Sequence, residues 1–183
     1  VINPAGKLVL FTNASSQAFV YDLTSRISYL VRSNCFNPAM SAEGRWVVFE
    51  SRLRPNQIRD VVLLDRQTGT TNLVSINLNG TAGGNGTSIS PQISFDGRYI
   101  VFASRASDLV NNDTNGGMDI FVRDRVLNTT ILASVNRLGG GSGNSDSFKP
   151  MLGADGRSVA FQSFSSDLSV NDFNNTRDVF VLR

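Results

Sequence analysis

The sequence predicts an all-β chain, a β-propeller built of stacked four-stranded blades. Three observations carry that expectation. One unit recurs four times, each copy holds up to four strand-like segments, and the strands are apolar on both faces. Such repetition at about 40 to 60 residues with four strands per copy is the pattern of propeller blades. The copies divide the chain into blades at approximately 1–34, 35–87, 88–146 and 147–183.

The most regular part of the unit is a turn and the strand after it. It reads AGKLVLF (5–11), EGRWVVF (43–49), DGRYIVF (96–102) and DGRSVAF (155–161). Each copy has a Gly, a cation, three variable residues and a Phe two positions from a branched side chain. The next strand reads AFVYD (18–22), VVLLD (61–65), IFVRD (120–124) and VFVLR (179–183). An outer strand follows in the first three copies, with Leu30, Leu73 and Leu132 in register; the fourth copy lacks it. An inner strand precedes each turn and carries Ile2, Met40, Ile93 or Leu152. Pro38, Pro91 and Pro150 stand two residues upstream in the last three copies.

Successive side chains of a strand point to opposite faces. Ile100 and Phe102 therefore share one face and Val101 takes the other. A sheet apolar on both sides must be covered on both sides, as a blade is by its neighbours. A two-sheet sandwich would instead leave one polar face per strand and has no reason to repeat. No stretch sustains a helical period.

Composition narrows the function. The chain has 183 residues, 40% of them hydrophobic, enough for the core of one domain. The net charge is +2 and the cations are scattered among acids, so nucleic acid is not an expected partner. There is no histidine, which removes Ser-His-Asp triads, imidazole ligands and His acid/base work together. The single cysteine, Cys35, has no partner for an internal disulfide and aligns with Ser88 and Ser147, as a small packed residue would. No apolar run approaches the roughly 20 residues that cross a bilayer. The sequence opens inside a strand-like pattern without Met, which fits a segment of something longer.

Antiparallel strands send successive connections to alternate faces of the disc. The first-to-second turn (Asp96-Gly97) and third-to-fourth turn (Gln67 to Thr70) are tight and share one face. The other two connections share the opposite face, and in the third copy both are long, from Ala106 to Met118 and from Arg137 to Ser147. Loops held by a rigid scaffold are where binding residues concentrate, so this long-loop face is the candidate functional face.

SFDGRYIVFAS (94–104), DTNGGMDIFVRD (113–124) and GNGTSISPQIS (84–94) resemble the TolB-type, WD-repeat-like propeller repeats of bacterial exported proteins. The resemblance spans nearly the whole chain and is weakest in the first copy, which has Asn3-Pro4-Ala5-Gly6 where the others place an acid before Gly. It implies an exported protein, periplasmic, cell-surface or secreted. It also implies a non-catalytic scaffold that binds a protein or glycan partner, or the propeller of a larger serine peptidase whose catalytic residues lie elsewhere; a structural subunit of an extracellular assembly is a further alternative. Rings of this family usually have more blades than four, which points to part of a larger ring, or one completed by a second chain, with self-association through exposed blade edges.

Two loops carry a shared acidic motif, D-x-N-x-x-x-D: Asp113, Asn115 and Asp119, then Asp172, Asn174 and Asp178. Each follows an upstream acid, Asp108 or Asp167. Carboxylate and amide oxygens clustered in a loop suit a hard cation such as Ca2+. The motif opens like an EF-hand loop but does not finish as one, because the closing acid would fall at Asp124 in one copy and at Arg183 in the other. Turn-capping by Asp and Asn is the competing reading, and Asp60 favours it, since it holds the strand-start position of Asp119 and Asp178 with no motif before it. The Gly-rich loops at 80–88 and 139–147 join two strands with no helix after them, so a phosphate cradle is not expected. The inner strands carry Ser41, Gln92, Ser94 and Lys149 and no acidic pair, so no catalytic residue is assigned.

Overall fold

The structure, a computed structural model, describes residues 1–183 apart from Pro4, Leu53, Pro55, Asn56 and Asn175. Pro4 of the atypical first turn and Asn175 of the second acidic motif thus lie outside the described residues.

The described residues form four antiparallel sheets and no α-helix. The first contains β1 (Leu8–Thr12), β2 (Ala18–Asp22) and β3 (Ile27–Arg32). The second contains β4 (Cys35–Met40), β5 (Trp46–Ser51), β6 (Asp60–Asp65) and β7 (Thr71–Leu73). The third contains β8 (Ser88–Ile93), β9 (Tyr99–Ser104), β10 (Asp119–Asp124) and β11 (Thr129–Leu132). The fourth contains β12 (Ser147–Leu152), β13 (Val159–Ser163) and β14 (Asp178–Leu182). Strands pair in sequence order within every sheet. Leu30 faces Phe19, Leu73 faces Val62 and Leu132 faces Phe121, so the outer strands share one register.

The first sheet differs from the expected four strands. Its inner strand shrinks to a single bridge, Ile2 to Val9. Asn3 caps the turn that follows, as Ser41 and Ser94 do in later blades: its Oδ1 accepts the Lys7 and Leu8 amides at 2.9 and 2.8 Å, and its Nδ2 donates to the Ala42 carbonyl of the next sheet. Backbone bonds between Val1 and Leu10 in both directions, and from the Asn3 amide to the Leu8 carbonyl, hold this short segment on β1.

Core packing places the sheets face to face in series. Leu10 and Val20 of the first pack against Val47 and Phe49 of the second. Val48 and Leu63 on the other side of the second meet Ile100 and Phe102 of the third. Val101 and Ile120, on the far side of the third, meet Val159 and Phe161 of the fourth. Phe49, Phe102 and Phe161 thus each face the preceding blade, in three separate interfaces. The inner strands β4, β8 and β12 lie side by side. Each is bulged one residue before its proline, where Asn37, Ser90 and Lys149 adopt φ of 47°, 54° and 52°. A bulge tolerates proline because no ladder donor is needed there.

The turn after each inner strand locks one blade to the last. Gly97 has φ of 73° and sits against the Trp46 ring, leaving no room for a Cβ; Gly156 meets Tyr99 in the same way. Trp46 is also stacked by Arg125, 3.9 Å from the ring centroid, and by Arg45 at 4.6 Å. It is a packed rim aromatic.

The turn cation has a fixed partner, the Asp that ends the third strand. Arg45 reaches Asp65 at 2.7 Å and Arg98 reaches Asp124 at 2.7 Å, both through Nε and Nη2. The Arg45 hydrogen bond holds the Asp65 carboxyl down to about 2, with the Gln67 amide adding to it, and Arg98 lowers Asp124 likewise. A depressed carboxyl stabilises the fold above its unfolded pKa of about 4, and that contribution is lost as pH falls towards the folded value. The urea midpoint of the wild type should therefore fall between about pH 4 and pH 2 more steeply than that of an Arg45→Gln, Arg98→Gln variant. The arginines are 45% and 37% exposed, so solvent screens each pair and the difference between the two acid limbs should be small. Parallel acid limbs for the two proteins would refute the assignment.

Cys35 opens β4 opposite Ser51, where the later blades pair Ser88 with Ser104 and Ser147 with Ser163 through their hydroxyls at 2.8 and 2.9 Å. It is 1% exposed. Burial pushes the thiol up to about 12, and the Glu50 charge adds to the shift. A thiol so held is unreactive. A disulfide reagent at neutral pH should label Cys35 only in denaturant; stoichiometric native labelling would contradict this packing.

Candidate functional site

The long-loop face is made by the connections 105–118 and 164–177 and by the crossings 74–87 and 133–146. Its loops are fastened to each other by a repeated set of bonds. Asp108 Oδ1 accepts the Asn85 amide at 2.8 Å, Asn85 Nδ2 donates to Ser107 Oγ, and Ser107 N donates back to Asn85 Oδ1. One blade later Asp167, Asn144 and Ser166 repeat all three bonds at 2.9, 2.9 and 3.0 Å. Asp108 and Asp167 also present their carbonyls to the amides of Leu78 and Arg137. Each upstream acid is therefore a clamp on the crossing loop of the blade before, and one of its carboxylate oxygens is taken by backbone.

The motif residues behave differently. Asn115 Oδ1 accepts the Gly117 amide at 2.6 Å and its Nδ2 donates to the Gly143 carbonyl at 2.6 Å. Asp113 Oδ1 accepts Ser142 Oγ at 3.4 Å, while that hydroxyl accepts the Thr114 and Asn115 amides. Asp119 begins β10, is fully buried, and accepts Ser134 Oγ on Oδ1 at 2.6 Å. The second carboxylate oxygens of Asp113 and Asp119 are buried without a hydrogen-bond partner among the described residues. Burial pushes Asp119 up to about 6; the Asp113 and Asp146 charges push the same way, against hydrogen bonds from Ser134 and Asn115. Burial raises Asp113 as well.

In the fourth blade Asn174 Oδ1 accepts the Thr176 amide at 2.9 Å, the same turn as Asn115 makes, and Asn174 Nδ2 lies 3.4 Å from Asp178 Oδ1. Asp178 Oδ2 is again buried and unpaired among the described residues. Asp172 is half-buried in the cleft between this loop and β14. The eight acidic-motif residues thus divide into two loop clamps and two three-residue sets, one per blade. No group of three or more acidic or cysteine side chains stands at metal-holding spacing among the described residues.

Ser134, Ser142, Gly143 and Asp146 of the crossing loop belong to this site and were not singled out from sequence. Asp146 accepts the Met118 amide at 2.8 Å and the Arg105 guanidinium at 2.8 Å. The signal lay in the alignment of the crossings, where Ser75 and Ser134 share a position.

Ser41 and Ser94 of the inner strands are occupied in turns: Ser41 Oγ accepts the Trp46 amide, and Ser94 Oγ accepts Tyr99 N while donating to Asp96. Neither is an activated nucleophile.

No protein-family model matches the chain and no curated protein matches its sequence. Solved structures do resemble it. TolB from Acinetobacter baumannii superposes with a TM-score of 0.62 at 16% identity, over 99% of this chain and 42% of that one. The tricorn protease gives 0.57 at 17% identity, over 87% and 14%. The β-propeller domain of the Trilobed protease from Pyrococcus furiosus gives 0.57 at 9%, over 96% and 50%. The chain spans no more than half the length of each. Identities this low carry the fold alone. The repeated blades, their face-to-face packing and these neighbours together make this chain a β-propeller segment, with the fold seen in TolB and in the propellers of the two proteases.

Proposed function

We propose that the chain is a non-catalytic binding or scaffold segment of an exported protein, engaging a protein or glycan partner through the long-loop face. The observation that carries this reading is the doubled clamp, Asp108-Asn85-Ser107 and Asp167-Asn144-Ser166, which fixes successive loops in one repeated geometry. A surface ordered before binding loses less entropy on association. The same loops hold out large apolar side chains, Leu138 at 86% and Phe173 at 82% exposed. A cleft between them is lined by Asn77, Leu78, Asp108 and Asn111, amide and carboxylate groups suited to sugar hydroxyls or a peptide backbone.

A comparison of two faces tests this. Leu138→Glu and Phe173→Glu should abolish cross-linking to a native partner or retention on a glycan array. Val126→Glu and Leu127→Glu, exposed in the tight turn of the opposite face, should leave both unchanged. Equal loss from both pairs, or binding by neither wild type nor variants, would defeat the reading.

A second reading is supported by the peptidases among the structural neighbours: the chain would be the propeller of a larger serine-type hydrolase. A fluorophosphonate probe applied to the full-length protein separates the two. Labelling at a serine outside 1–183 favours the hydrolase, and none favours the binding module.

A further inference from the structure

We propose that the third blade holds a divalent cation of the Ca2+ class between Asp113 and Asp119, at the place where the second blade holds the guanidinium of Arg54. The argument rests on two blades that solve one problem differently.

In both blades the third strand begins with a buried Asp, Asp60 in β6 and Asp119 in β10, 4% and 0% exposed. Both accept a serine hydroxyl on Oδ1, from Ser75 at 3.2 Å and Ser134 at 2.6 Å. Both serines accept the next amide of the strand, Val61 and Ile120, at 3.0 Å. The frameworks match atom for atom up to this point.

The second oxygen differs. Asp60 Oδ2 receives Arg54 Nε at 2.6 Å. Arg54 Nη2 reaches Asp60 Oδ1 at 2.7 Å and the Gly84 carbonyl of the crossing loop at 2.8 Å. One positive group thus bridges a buried carboxylate and a crossing-loop carbonyl. In the third blade Gly143 stands where Gly84 does, but its carbonyl takes the neutral Asn115 Nδ2 at 2.6 Å, and Asp119 Oδ2 has no partner among the described residues. The loop 105–118 contains one cation, Arg105, and it is committed to Asp146. Arg137 of the crossing loop is exposed. In place of the guanidinium the third blade brings a second carboxylate, Asp113, whose Oδ2 is also buried and unpaired among the described residues.

Two carboxylates turned into one desolvated place repel each other unless a positive charge joins them. A hard divalent ion supplies it, taking six to eight oxygens from carboxylates, amides and carbonyls. Asp113 and Asp119 offer the charged oxygens, and the Asn115 side-chain oxygen and loop carbonyls the neutral ones; Ser142 Oγ is already spent on the Thr114 and Asn115 amides. Only two carboxylates contribute, so the expected affinity is that of extracellular modules, Kd on the order of 0.1–1 mM. Asp108 spends Oδ1 on the Asn85 amide and has no buried unpaired oxygen, so it is left out of the proposed set. The Asp172, Asn174 and Asp178 set is a more open copy, with Asn174 exposed, and should bind more weakly.

Titration calorimetry of the chain with CaCl2, with melting temperature followed against calcium and terbium luminescence as an independent readout, tests this. Binding heat and a calcium-dependent rise in Tm are expected. Asp113→Asn should weaken binding at least tenfold, and Asp155→Asn, at an exposed acid in a tight turn of the opposite face, should leave it unchanged. Asp119→Asn should abolish the stronger site. If that buried substitution fails to fold, half-buried Asp113 still decides the matter. No heat and no Tm shift at millimolar calcium would overturn the proposal, and so would wild-type affinity in Asp113→Asn.

Discussion

Phe102→Ala is expected to lower the unfolding free energy by about 3–5 kcal/mol, read as a shift in the urea midpoint at constant m-value. Phe102 is fully buried at the centre of the contact between the second and third sheets, stacked on Phe121 with centroids 5.8 Å apart. Removing the ring leaves a cavity whose walls are Val48, Leu63 and Phe121, and those walls belong to two sheets. The backbone of each is pinned by its own ladder, so neither can collapse fully into the space. Phe161→Ala, at the equivalent place one blade on and 4% exposed, should cost less, because its strand partner Phe180 lies on β14, the edge of a three-stranded sheet. An equal or reversed order would mean that the inter-blade contacts do not form the load path of the core. Phe102→Leu separates volume from aromatic character: it should recover most of the loss, since a leucine fills part of the cavity in a strand-compatible rotamer.

The blade architecture was legible because it is written in short-range chemistry. A Gly that must turn and must let Trp46 or Tyr99 approach cannot be replaced quietly, and a Phe such as Phe102 that must reach the preceding sheet leaves the same mark in each copy. The candidate site was legible only in part. Asp108 and Asp113 look alike in sequence, yet one binds the Asn85 amide and the other turns an unpaired oxygen inward. The difference is set by crossing-loop residues more than 20 positions away, Asn85 and Ser142, which no local spacing reveals. Arg54 was invisible because its loop is shorter than the matching connections 105–118 and 164–177 and does not align with them. Asp60, taken alone, argued for turn structure; with Arg54 beside it, it marks a charge requirement that the third blade must meet by other means. Ile2 suggested an inner strand, and the structure keeps its pairing with Val9 as a single bridge flanked by backbone bonds to Leu8 and Leu10.

Arg59→Ala is the second large effect expected, about 3–5 kcal/mol, because it strands a buried carboxylate. Glu50 is fully buried in β5, in a position where the aligned residues are Ala103 and Gln162, so no repeat pattern announces it. Its Oε2 takes Arg59 Nη1 at 2.6 Å, and its Oε1 takes Asn37 Nδ2 at 2.6 Å and the Ser90 amide at 2.9 Å. Asn37 and Ser90 are the left-handed bulge residues of two neighbouring inner strands, so one carboxylate joins the second blade to the third at the bulges. Arg59 is 27% exposed and loses little by facing water; Glu50 has nowhere to hydrate. The charge is therefore the source of the penalty, and a second substitution shows it. Adding Glu50→Gln to Arg59→Ala keeps an acceptor for Asn37 and Ser90 while removing the charge, and should return at least 1 kcal/mol, a coupling within the usual range for contacting groups. If the double variant is less stable than Arg59→Ala, the arginine acts through packing over the Phe36 ring, 5.0 Å from its centroid, and the buried carboxylate is satisfied by its two neutral donors alone.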